Sequence, residues 1–185
     1  MSEFLWKPAL SEVENSQSWE FIQEANKKFK VNLKNFHDLY KWSCDFPEFF
    51  WEHFWHYSKI ISERNSNKVL KNGHDFLGSE WFPDARLNFA KNLLAKRDET
   101  PAIIFWGEDK YKSSLTHLEL FNQVAKLANW LKQNGVKKGD RVAGLLPNMP
   151  EAVVSMLAAS SIGAIWTSCS PDFGVQGVLD RFSQI

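Results

Sequence analysis

The stretch from residue 139 to residue 168 constrains the fold more than any other part of the chain, because it reads as strand, helix, strand joined by short links. After Gly139-Asp140, the apolar run 142–146 has the length of a buried strand, and Pro147-Asn148 turns it. Pro150 opens a helix on which Val153, Val154, Leu157, Ala158 and Ser161 share a face, and Gly163 closes it. Residues 164–168 form the next strand. Two strands joined through a helix in this way are neighbours in a parallel sheet. The fold class is therefore α/β.

Upstream, residues 102–106 after Pro101 and residues 111–115 read as a hairpin turned by Gly107-Glu108-Asp109-Lys110. Thr116 and Glu119 have the spacing of a capping box. The helix they open carries Leu120, Phe121, Val124, Leu127, Ala128 and Leu131 on one face and stops at Gly135. At the far end, Val175, Val178, Leu179, Phe182 and Ile185 recur at helical spacing, with no glycine, cap or polar tail after them. That ending reads as the front piece of a longer chain.

Composition shifts near residue 90. Residues 1–90 hold six of the nine Trp and four of the five His, with 11 basic against 13 acidic groups. Helical spacing links Trp19, Ile22, Gln23 and Asn26, and then Phe36, Leu39 and Tyr40, before a break at Asp45-Phe46-Pro47. Residues 48–61 are expected as a helix with Phe50, Phe54, Tyr57 and Ile61 on one face and Trp51 and Trp55 beside them, buried under its neighbours. Residues 65–78 read as a loop, Trp81-Phe82-Pro83 as an extended anchor, and 84–94 as a short helix.

The 22 basic and 22 acidic side chains cancel, which argues against non-specific nucleic-acid binding. Cys44 and Cys169 lie far apart without CxxC spacing, so the chain suits a reducing cytoplasm rather than a disulfide framework. No basic n-region followed by an apolar core marks a secretory signal. Residues 152–171 carry no charge, but Ser155, Ser160, Ser161, Gly163, Thr167, Ser168 and Ser170 interrupt them, so no membrane span is expected.

Neither GxxxxGK[ST] nor GxGxxG nor GxSxG occurs, and no general acid or base stands out. His53 and His56 could ligate a metal with His37 or Cys44, yet spacing of three without a second ligand pair favours ordinary packing. Glu108-Asp109 reads as a solvated turn. The run from Ser168 to Gly174 has more content. It sits at the carboxyl end of a parallel strand and enters a helix N-terminus, where open α/β sheets gather ligands and free N–H groups favour anions. The alternative there is a plain capped turn.

Thr116-His117-Leu118-Glu119-Leu120, Gly139-Asp140-Arg141-Val142, Pro147-Asn148 and Gly163-Ala164 together resemble the opening of the adenylate-forming acyl-CoA synthetases. The stretch from Trp81 to Leu94, that from Cys169 to Phe182, and Leu5-Trp6-Lys7-Pro8 resemble the acetoacetyl branch of that family. Leu93-Leu94-Ala95-Lys96-Arg97 stands where the acetyl branch usually carries Cys-x-Asp-Arg-His.

The resemblance implies a helical, Trp-rich N-terminal extension over residues 1–95. The first βαβ units of an AMP-binding domain would follow over 96–185, with the remainder of that adenylation domain as their partner. It implies a ligase using ATP, Mg2+ and CoA on acetoacetate through an acyl-adenylate, with catalytic and ATP-site residues beyond Ile185 and the chain alone inactive. Ser170, Pro171 and Asp172 are the positions it places near CoA. A synthetase for acetate, propionate or butyrate, and a non-catalytic binding module, are the other readings.

Overall fold

A computed structural model describes residues 5–108 and 110–185, which fall into two compact units divided between Ala85 and Arg86. In the first, α1 (Leu10–Glu14), α2 (Gln17–Phe29), α3 (Phe36–Asp45) and α4 (Pro47–Tyr57) precede the short strands β1 (Ser62–Arg64), β2 (Leu70–Lys71) and β3 (Glu80–Trp81). The second runs β4 (Arg86–Leu87), α5 (Phe89–Leu93), β5 (Pro101–Gly107), β6 (Tyr111–Thr116), α6 (His117–Gln133), β7 (Arg141–Leu145), α7 (Pro150–Ser161), β8 (Ile165–Cys169) and α8 (Val175–Phe182).

The first unit is built on side-chain caps. Ser16 accepts from the Trp19 N–H to start α2, and Asn35 accepts from the Asp38 N–H to start α3. Asn26 bridges out of α2 to the next segment through both of its polar atoms, donating to the Leu33 carbonyl and accepting the Leu33 N–H. Beneath these lie Phe21, Ile22, Ala25, Leu33, Leu39 and Trp42, with Phe50 and Tyr57 of α4 packed against them.

Three expectations for this half are corrected. The helix expected over 48–61 stops at Tyr57, and Ile61 is not on it. Lys59 adopts the left-handed region at φ 51°, its N–H donates to the His56 carbonyl, and the Ile60 N–H donates to the Trp55 carbonyl. That is a Schellman closure made without glycine, so the sequence carried no stop signal. The aromatic face is only partly buried, since Phe50 and Tyr57 pack on the core while Trp51 and Phe54 are about two-fifths exposed, and the buried position of α4 is His53. Finally, residues 65–78 are not all loop, because Leu70 pairs with Trp81 and Lys71 with Glu80 in an antiparallel ladder closed by a Lys71–Glu80 ion pair.

In the second unit the helix expected from 84 to 94 is only α5, and its N-cap is Asn88 rather than a residue near Asp84. Asn88 does two jobs. Its side-chain oxygen accepts the Lys91 N–H, while its Nδ2 donates to the carbonyls of Ser160 at 2.9 Å and Ser161 at 3.3 Å, tying α5 to the end of α7.

The hairpin is as expected, with Ile103 opposite Leu115 and Gly107 opposite Tyr111. The Thr116–Glu119 capping box forms, and the first amides of α6 are further satisfied as His117 and Leu118 donate to the carbonyls of Thr100 and Asp98.

Both glycine stops close by the same geometry. Gly135 at φ 86° ends α6 and Gly163 at φ 78° ends α7, with Val136 donating to Leu131 and Ala164 to Ala159. Strands β7 and β8 then pair parallel and in register from Arg141–Ile165 to Leu145–Cys169. Leu120, Val124 and Leu131 of α6 and Val154, Leu157 and Ala158 of α7 form the core with Ala90 and Leu94. Among the described residues, no helix is long and apolar enough to cross a membrane.

Candidate functional site

Parallel pairing brings the carboxyl ends of β7 and β8 to one edge of the sheet. The last rung is Leu145 opposite Cys169, and the Leu146 N–H adds one more bond to the Cys169 carbonyl. Beyond it, residues 147–149 lead into α7 and residues 170–174 lead into α8. Both helices therefore begin at this edge, and neither has a side-chain cap.

The structure places Ser170, Pro171 and Asp172 together in the turn after β8. Ser170 is half-buried, while Pro171 and Asp172 are exposed. The Ser170 hydroxyl donates to Asp172 Oδ2 at 2.6 Å and accepts the Asp172 N–H at 3.3 Å. The carboxylate thus already holds a donor from its own turn. On α8 the Arg181 guanidinium lies 3.7 Å from the Phe173 ring centroid and donates to the Gly177 carbonyl, so one positive group stands over the same turn. The uncapped amides of the first turn of α8 add partial positive charge. The turn thus sets a guanidinium and the free amides of a helix start beside an exposed carboxylate.

The other sequence candidates do not converge. The His53 Nε2 lies 3.0 Å from the Phe21 carbonyl and the residue is buried in the helical unit, whereas His56 is exposed. Cys44 is exposed and Cys169 buried. Among the described residues, no group of three or more His, Cys, Asp or Glu is placed to hold a metal. Glu108 occupies the hairpin turn at φ 53°, and Asp109 lies outside the described residues.

Sequence reasoning missed an open groove of about 910 Å³ along α2 and α4, whose walls include Glu20, Glu24, Lys27, His53 and Tyr57. The only signal for it was the polar face of α2. Within it the Tyr57 hydroxyl shares its one proton between Glu20 Oε2 at 3.0 Å and the Gln17 carbonyl at 3.1 Å. Desolvation, then the Glu20 hydrogen bond and the charges of Glu20 and Glu24, hold the phenol above its ordinary value of 10.

A raised acid favours its neutral form in the folded state. This contribution is fully present below pH 10 and is lost as pH rises through the higher folded value. A difference absorbance titration between the chain and its Tyr57→Phe variant is expected to place the Tyr57 midpoint above 10, and a midpoint at or below that value contradicts the Glu20 bond.

The family model of the AMP-binding enzymes matches residues 89–184, and that of the acetyl-coenzyme A synthetase N-terminus matches residues 36–93. An acetoacetyl-coenzyme A synthetase of Rhizobium meliloti is 46% identical over 181 residues, covering 98% of this chain and 28% of the relative. An acetoacetyl-CoA synthetase of Danio rerio is 43% identical over 190 residues, covering 100% of this chain and 28% of the relative.

Among solved structures, the acetoacetyl-CoA synthetase from Streptomyces lividans superposes with a TM-score of 0.91 at 35% identity, over 100% of this chain and 29% of that one. The chain thus spans little more than a quarter of the relatives it matches. With a family model covering more than half of its residues, and a parallel crossover and hairpin lying inside the matched stretch, the chain belongs to the AMP-binding enzyme family.

Proposed function

We propose that these residues are the leading part of an ATP-dependent acetoacetate–CoA ligase of the cytoplasm. The reaction joins acetoacetate and ATP into acetoacetyl-adenylate with release of pyrophosphate, and the CoA thiolate then displaces AMP. The observation that carries this reading is the 46% identity to an acetoacetyl-coenzyme A synthetase, held across 98% of the chain rather than confined to one motif. Residues 1–95 serve as the N-terminal extension and 96–185 as the start of the adenylation domain, whose other residues are its partner. The two family models, meeting near residue 90, support that division.

Mg2+ accompanies ATP in this reading and offsets phosphate charge as the mixed anhydride forms. Among the described residues of this chain, no group of three or more His, Cys, Asp or Glu is placed to hold that ion. Its contribution is to the CoA side. Pro171 fixes the backbone, Asp172 orients the Ser170 hydroxyl, and the uncapped amides of α8 face the incoming phosphates.

The test is an ATP–pyrophosphate exchange assay on the gene product that carries these residues, with acetoacetate, acetate, propionate and butyrate compared. Exchange is expected with acetoacetate in preference to the others, and AMP release is expected to require CoA. Preference for acetate, propionate or butyrate would assign a different acyl substrate. Exchange with none of the four would replace the ligase by a non-catalytic binding module. The 185 residues alone are expected to release no pyrophosphate. In the active protein, Ser170→Ala is expected to raise the KM for CoA about threefold to tenfold, the worth of one hydrogen bond, while leaving exchange unchanged.

A further inference from the structure

The chain contains two Asn-Gly pairs, Asn72-Gly73 and Asn134-Gly135, and the structure sets them in opposite chemical situations. We propose that Asn72 is a site of spontaneous deamidation and that Asn134 is protected from it. The reaction needs the glycine nitrogen as nucleophile. A base removes the proton from the glycine N–H, and the nitrogen attacks the asparagine Cγ. The new C–N bond closes a five-membered succinimide as the Cγ–Nδ2 bond breaks and ammonia leaves with a proton. Water then opens the ring at either carbonyl, leaving aspartate or isoaspartate. Water is the only co-reactant, and no electrons are exchanged.

At Asn134 both reacting groups are occupied. Its Nδ2 donates to the Trp130 carbonyl at 2.8 Å, which holds the amide against the last turn of α6. The Gly135 N–H donates to the Lys132 carbonyl at 3.0 Å, and the Val136 N–H to Leu131 at 3.0 Å, locking the peptide in the helix closure. Attack there requires the C-terminal turn of α6 to open first.

At Asn72 neither group is held this way. Residues 71–77 are all exposed, with Phe76 and Leu77 more than nine-tenths so. Among the described residues the Gly73 N–H forms no hydrogen bond, and the Asn72 Nδ2 reaches the Gly78 carbonyl only at 3.4 Å. The turn is closed instead by the Asp75 N–H donating to the Asn72 carbonyl at 2.9 Å, a bond that leaves the nucleophile free. Asn72 sits in the left-handed region at φ 56°, so reaching the attack geometry means rotating its backbone, which an exposed loop permits.

The test is incubation of the intact chain at mildly alkaline pH and 37 °C, followed by peptide mapping with mass spectrometry and ammonia release. Asn72 is expected to show the mass gain of an amide-to-carboxylate conversion about threefold to tenfold faster than Asn134, the factor that one held backbone hydrogen bond imposes. In denaturant, where both pairs are open, the two rates are expected to converge. Asn72→Gln, which cannot close the five-membered ring, is expected to abolish the fast phase while Asn134 continues slowly. Equal rates in the native chain, or faster conversion at Asn134, overturn the proposal. So does an Asn72 that stays intact over the period in which the denatured chain converts.

Discussion

Replacement of His53 by alanine is expected to destabilise the helical unit by about 3 kcal/mol, combining a cavity where a large ring stood with the loss of its hydrogen bond to a helix carbonyl. His53 is 3% exposed, its ring centroid lies 4.3 Å from that of Phe21, and its Nε2 reaches the Phe21 carbonyl at 3.0 Å. The ring also stands edge-on to Phe29, with centroids 5.8 Å apart. The residue thus packs like an aromatic and adds a second hydrogen bond to a helix carbonyl of α2, two roles that alanine cannot share.

His53→Gln keeps an N–H donor and is expected to lose roughly half as much. Urea unfolding followed by far-ultraviolet dichroism, with amide exchange across α4, measures both. A His53→Ala midpoint equal to that of the parent chain would mean that the Phe21 carbonyl finds water and the helices close the gap.

Substitution of Gly144 is expected to run against strand propensity. Glycine inside a strand is ordinarily a weakness, so alanine there ought to stabilise by propensity alone. In β7, however, a Cβ on Gly144 would lie 2.4 Å and 2.8 Å from Cη2 and Cζ2 of Trp166, with Leu146 Cδ1 at 3.3 Å. The indole is rigid and crosses directly above the glycine, so something must move. Gly144→Ala is expected to cost about 1–3 kcal/mol, the range for overpacking a close-packed site.

Trp166→Leu removes the obstructing ring, so adding Gly144→Ala to that variant is expected to cost little, giving a coupling energy of about 1–2 kcal/mol. A cycle with no coupling would show that the strain lies elsewhere. Because β7 and β8 carry the turn at residues 170–174, their pairing is what holds that turn at the sheet edge.

The candidate turn was found by position alone: a strand end, a proline and a glycine before a helical period. What the sequence could not say is that Ser170 and Asp172 would be bonded to each other, with Arg181 brought over Phe173 from two turns along α8. The groove of α2 and α4 had only the polar face of α2 to announce it, for a similar reason. Glu20 and Tyr57 are 37 residues apart, and no local pattern announces that one will hold the other.

By itself the sequence determined those features whose hydrogen bonds close within a few residues. The Thr116–Glu119 box, the closures at Gly135 and Gly163 and the proline starts of α4 and α7 are such features, and the parallel crossover follows from their order. Tertiary structure decided the rest. It selected Asn88 as a cap because Nδ2 could also reach the end of α7. It also turned His53 rather than the aromatic stripe into the core. In each of these the deciding partner comes from another element or from side-chain packing, and a periodicity of 3.6 residues cannot report which face a neighbour will cover.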